Sequence, residues 1–184
     1  MNPCENCALR LFNTKHHKLD GVGNPYFGNL IVVPNVDYTA YKKGNMSFST
    51  QVEIIKEIIS SSTGELDNLF ILPLIRCSEN LGCKINEDII KNCLYYYYQD
   101  VRKYNFKHIL LLGKAGGQFI DGEIKNYLDT VIVNINNGKC FNINYSPLVK
   151  YTNDELFIKF KHYLIKWYNY AVKGYYSYNN IIHI

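Results

Sequence analysis

Six cysteines occur among the 184 residues: Cys4, Cys7, Cys77, Cys83, Cys93 and Cys140. Thiolates are soft ligands, and four of them drawn together make an S₄ set that holds either Zn²⁺ or an iron–sulfur cube. Cys4-Glu5-Asn6-Cys7 is a CxxC pair near the N-terminus, a spacing that zinc knuckles and redox pairs share. Cys77 and Cys93 form the second pair, the first following a predicted strand and the second inside a predicted helix. A terminal hairpin and one loop–helix unit can therefore close a four-sulfur site. Cys83 could replace one ligand, whereas Cys140, late in a strand pattern, reads as a buried thiol. The N-terminal residues lack an apolar signal-peptide core, so a cytoplasmic chain with reduced thiols is expected, and metal ligation ranks above disulfides.

The elements that must position these sulfurs follow from hydrophobic patterning. Short apolar runs predict strands at Leu30–Val33, Leu69–Leu72, His108–Leu112, Thr130–Val133 and Cys140–Ile143. Such continuous runs suit a sheet covered on both faces. Helical periodicity alternates with them. Thr50 and Glu53 have capping-box spacing ahead of Ile54, Ile55, Ile58 and Ile59. Asn86 caps a longer helix with Ile89, Ile90, Cys93, Leu94, Tyr97 and Val101 on adjoining faces. Thr152 and Glu155 repeat the capping spacing before Phe157, Phe160, Leu164, Trp167 and Ala171, and Gly174 supplies a stop. This alternation predicts an α/β fold, a three-layer α/β/α sandwich around a mostly parallel central sheet. One domain over 1–174 is expected, with a tail over 175–184 that adds a strand or loop.

Composition narrows the function classes. The chain is 47% hydrophobic and 20% charged, which excludes a disordered reading. No apolar run is long enough for a membrane span, so no membrane partner is expected. A net charge of +4 is compatible with a phosphate backbone. The 22 Asn, 21 Ile and 17 Tyr are spread throughout, as the codon usage of an AT-rich genome would spread them; a bacteriophage or parasite source fits. Tyr95-Tyr96-Tyr97-Tyr98 would be scattered around a helix axis, which favours packing over base stacking.

Taken in order, Cys4-x-x-Cys7, Gly23-Asn24-Pro25 before a strand, Arg76-Cys77 after one, Cys93, and Leu111-Leu112-Gly113-Lys114-x-x-Gly117 resemble the iron–sulfur (family 4) uracil-DNA glycosylases over residues 4–170. The resemblance implies a uracil-DNA glycosylase-like fold whose four cysteines hold a structural [4Fe–4S] cluster. It also implies DNA as partner, with a nucleotide flipped into a pocket at the carboxyl ends of the parallel strands.

Every reaction motif of that family is altered. Its Gly-Glu-Ala-Pro-Gly segment falls on Val33-Pro34-Asn35-Val36-Asp37, with Pro34 at the acid position. Asn35 lies where other branches of the superfamily position water, and Asp37 is an alternative. The uracil-reading Asn falls on Pro73, which has no donor and acceptor pair. The His-Pro motif falls on Tyr145-Ser146-Pro147, and none of His16, His17, His108, His162 and His183 replaces the imidazole. Phe48 is one residue from the place of the base-stacking aromatic. Two expectations follow. One is a DNA-binding protein that has lost uracil excision, contacts phosphates through Lys42, Lys43, Lys114 and Lys150, and serves a viral replication or transcription assembly in the host cytoplasm. The other is an active glycosylase of altered base choice, with Asn35 on water, Tyr145 or Ser146 on the leaving base and Phe48 stacked against it. A zinc-stabilised interaction domain is the third reading.

Overall fold

A computed structural model describes residues 3–13, 15, 18–63, 66–79, 82–118, 127–134, 136–175, 178 and 180–183, with backbone alone at 63, 117 and 118. His16 and His17 lie outside the described residues. The strands are β1 (Val22–Gly23), β2 (Asn29–Val36), β3 (Phe70–Ser78), β4 (His108–Leu112), β5 (Thr130–Asn134), β6 (Lys139–Asn144) and β7 (Asn180–His183). The helices are α1 (Ala8–Phe12), α2 (Tyr38–Lys43), α3 (Thr50–Thr63), α4 (Glu87–Tyr104) and α5 (Asp154–Lys173). Among the described residues, no helix is long and apolar enough to cross a membrane.

The strands form one mixed sheet in the order β1-β3-β2-β4-β6-β5-β7. Its centre, β3-β2-β4-β6, is all parallel, while β1 and β5 pair antiparallel with β3 and β6. The tail supplies β7, which pairs parallel with β5. Alternate residues of the central strands enter two separate cores. Ile31, Val33, Ile71, Leu110 and Leu112 meet α3 and α5 through Ile55, Ile59, Leu164 and Trp167. Leu30, Val32, Leu72, Ile109 and Leu111 meet α4 through Tyr97 and Val101. The α/β fold is thus layered, with helices on both faces of a mostly parallel sheet.

Several predicted boundaries shift. β2 runs past Val33 through Pro34 and Asn35, and β3 runs nine residues, through Pro73, so that Cys77 lies inside the strand and not after it. Both prolines sit where a ladder has ended. β1 pairs only with Ile71 and Phe70, and β4 pairs with β2 only as far as Val32. No neighbour on those flanks asks for the missing N–H. The cap of α3 is Ser49, one residue before Thr50, and that of α5 is Asn153, whose side chain accepts from the Leu156 N–H. Asn86 caps α4 through the Ile89 N–H, and Gly174 ends α5 in the left-handed conformation, both as expected. Cys140 is half-buried, not buried: it is the second residue of β6, ahead of the buried stretch that begins at Asn142.

Candidate functional site: a thiol patch beside a polar cleft

The N-terminal CxxC is docked by one side chain. Cys7 precedes α1, and Asn13, fully buried at the helix end, donates to Leu9 O at 2.6 Å and Ser78 O at 3.0 Å. The Ser78 N–H donates back to Asn13 Oδ1 at 2.9 Å. This clamp ties α1 to the end of β3, the strand that carries Cys77. From the other side α4 brings Cys93, on its buried face with Ile89. Cys7, Cys77 and Cys93 pack in one cluster with Leu9, Ile75 and Ile89. Cys4 is buried close by, near enough for its charge to act on both Cys77 and Cys93.

The electrostatics are those of protected sulfurs. Burial raises the Cys77 thiol, opposed by the Lys18 N–H, which donates to its Sγ at 3.4 Å. Burial pushes Cys93 up to about 12, opposed by a hydrogen bond from the Arg76 N–H. The Tyr96 hydroxyl is hydrogen-bonded to Cys4. Burial thus favours the neutral thiol at Cys77 and Cys93. Among the described residues, no three His, Cys, Asp or Glu groups form the tight set that a single ion needs. The sulfurs are soft donors shielded by apolar side chains, and Cys77 and Cys93 each accept a backbone hydrogen bond. Cys83 lies at the margin, half-buried against the patch.

Beside the patch is a cleft of about 540 Å³ at the carboxyl ends of the central strands. Strand order reverses about β2, and crevices at such reversals are the usual binding places of parallel sheets. Its polar walls are Asn35, Gln51, Glu79, Lys84, Lys114 and Ser146. Ile75, Ile85 and Ile90 belong both to the cleft and to the thiol cluster. Asn35 Nδ2 donates to Glu79 Oε1 at 2.8 Å, and Gln51 Nε2 donates to the Asn35 carbonyl at 3.0 Å. Gly113 has φ +53°, and a Cβ there would come within 2.9 Å of the Ser146 Cβ. That glycine lets the β4 and β6 ends approach, setting Lys114 and Ser146 on one wall.

Of the expected site residues, Asn35, Lys114 and Ser146 meet in the cleft; the others are elsewhere. Asp37 caps α2, its Oδ1 accepting from the Ala40 N–H at 2.9 Å and its Oδ2 from Ser49 Oγ at 2.6 Å. Both its oxygens are thus engaged in holding α2 and α3 together. Pro73 is buried in β3, and Tyr145 packs against the α5 core. Phe48 is exposed, with the Lys43 ammonium 5.8 Å from its ring, and Lys42 lies over Tyr38. Lys150 pairs with Glu57 at 2.9 Å, which raises its pKa. None of the described histidines lines the cleft. Glu79, Gln51 and Lys84 are the wall residues that sequence reasoning missed. Glu79 follows Cys77 by two residues, so recognising the full length of β3 would have found it. The chain matches no protein-family model and no curated protein.

Proposed function

We propose that this is an iron–sulfur, uracil-DNA glycosylase-like protein that binds DNA through the cleft and has lost uracil excision. The observation that carries the reading is the shared wall: Ile75, Ile85 and Ile90 line the cleft and pack against the thiols. Cys4, Cys7, Cys77 and Cys93 are the residues that would hold a [4Fe–4S] cluster. When bound, it supplies a cross-link among three segments distant in sequence, stiffening that wall. Lys84 and Lys114, both exposed on the cleft, contact phosphate. Pro34, Pro73 and Ser146 stand where the resemblance implies an acid, a base reader and an imidazole, so specific uracil chemistry is not supported. DNA bound in this way serves a viral replication or transcription assembly.

The test is the affinity of the purified protein for labelled single- and double-stranded oligonucleotides across a salt series. Affinity should fall as salt rises, and Lys84→Ala and Lys114→Ala should each reduce the log–log slope by about 1. No affinity at low salt contradicts the proposal. The Asn35–Glu79 pair favours a second reading, in which Glu79 takes a proton from water and Asn35 keeps the carboxylate in place. In that case a panel of uracil, hypoxanthine, xanthine and oxidised pyrimidines yields abasic sites. Glu79→Gln should then slow base release by about 10²–10⁴-fold while DNA affinity stays. A panel without abasic sites eliminates this second reading.

A further inference from the structure

We propose that the segment Tyr38–Phe48, outside the cleft, is a landing surface for an unpaired DNA strand. Tyr38 and Phe48 stack on bases there, while Lys42 and Lys43 hold the phosphates beside them. This inference rests on the DNA-binding reading of the cleft and adds the form of DNA that is taken. The segment is shaped by its caps. α2 ends at Gly44, whose φ of +69° is left-handed, and a 3₁₀ turn over Met46–Phe48 follows. Asn45 Oδ1 caps that turn by accepting from the Ser47 N–H at 2.8 Å. Ala40 and Met46 are buried in the core beneath α3 and α5. Tyr38, Lys42, Lys43 and Phe48 are left exposed, the two rings at 45% each. The Lys42 ammonium lies 5.6 Å from the centre of the Tyr38 ring, and the Lys43 ammonium 5.8 Å from that of Phe48.

A cation beside an accessible ring is the complement of a nucleotide, which carries a phosphate beside a planar base. Two such pairs occur within eleven residues that include no carboxylate. Neither lysine makes an ion pair among the described residues. The preceding carboxylate, Asp37, has both oxygens engaged, by the Ala40 N–H and Ser49 Oγ. The surface is therefore of one sign, and a phosphate chain is its electrostatic match. Both ends of the segment are tied to the cleft wall, since Asn35 stands three residues before Tyr38 and Gln51 three residues after Phe48. Three residues span at most about 11 Å, so a strand leaving the cleft meets these rings. A duplex cannot use them, because its base faces are already covered by their neighbours. An acidic polypeptide would satisfy the lysines but brings no succession of planar bases to the rings.

The experiment measures affinity for labelled oligo(dT), for an abasic strand of the same length, and for a duplex of that length. The native protein should bind oligo(dT) at least about fivefold more tightly than the abasic strand. Tyr38→Ala and Phe48→Ala should each weaken oligo(dT) binding by a similar factor while affinity for the abasic strand and the duplex is unchanged. Tyr38→Phe and Phe48→Tyr, which keep the rings, should retain native affinity. A strand carrying 5-iodouracil should cross-link on irradiation to Tyr38 or Phe48 in the native protein, a readout that needs no variant to fold. Equal affinity for oligo(dT) and the abasic strand overturns the proposal. So does a loss in the alanine variants that is absent or equal for all three ligands, or cross-linking confined to other residues. Each of these results leaves the cleft reading standing while binding remains salt-dependent. Polyglutamate that competes as well as oligo(dT) assigns the surface to an acidic polypeptide and also overturns it. Failure to bind any DNA overturns both readings.

Discussion

Asn13 joins two backbone segments 65 residues apart with three hydrogen bonds, all inside the protein. Asn13→Ala would leave the Ser78 N–H and carbonyl without these partners. It should lower unfolding stability by about 1–3 kcal/mol, seen as a lower denaturant midpoint, because Cys4 and Cys7 lose their mooring. An unchanged midpoint contradicts the clamp. Such a role could not be seen in the chain alone, since one Asn among 22 carries no mark of being buried. The meeting of Cys7, Cys77 and Cys93 in one cluster could be seen, because thiols have few roles and paired spacings are rare. Asn35 and Ser146 were recoverable from motif position, but Gln51 and Glu79 became visible only when the ends of β2, β3 and α3 met.

The helix α4 links the two halves of the site, carrying Cys93 towards the thiols and Ile90 towards the cleft, with Tyr97 in the sheet-facing core. Its start is set by Asn86, which accepts from the Ile89 N–H at 3.0 Å. Asn86→Ala should destabilise the protein by about 1 kcal/mol; a loss within a few tenths would show the cap to be dispensable. Elements of this kind were legible because a 3.6-residue apolar pattern flanked by Asn and a left-handed residue admits one reading. The tyrosine run follows the same geometry: Tyr96 and Tyr97 are buried while Tyr95 and Tyr98 are half-exposed. Strand ends were less legible. Pro73 reads as a breaker until one knows that β1 spans two residues and leaves that flank open. Capping-box spacing misled at Thr50 and Thr152, because the adjacent Ser49 and Asn153 offer equally good acceptors.

Across the molecule, one architecture serves both the thiol patch and the cleft. The parallel centre of the sheet gathers the ends of β2, β3, β4 and β6 at one rim, where the cleft opens. The N-terminal segment and α4 then close over the β3 end, which packs Cys7, Cys77 and Cys93 in one cluster with Cys4 buried close by. Patterning foretold the layers of helices around a mostly parallel sheet, but not the antiparallel β1 and β5. Such short edge pairings depend on neighbours distant in sequence. The account depends on those sulfurs holding one inorganic cluster. Iron and acid-labile sulfide should be determined on protein purified without oxygen, with the visible spectrum recorded beside Cys77→Ser and Cys93→Ser. The account predicts about four irons and four sulfides per chain with broad absorption near ~400 nm in the native protein, lost in both variants. A colourless native protein with zinc or no metal at these cysteines would contradict it.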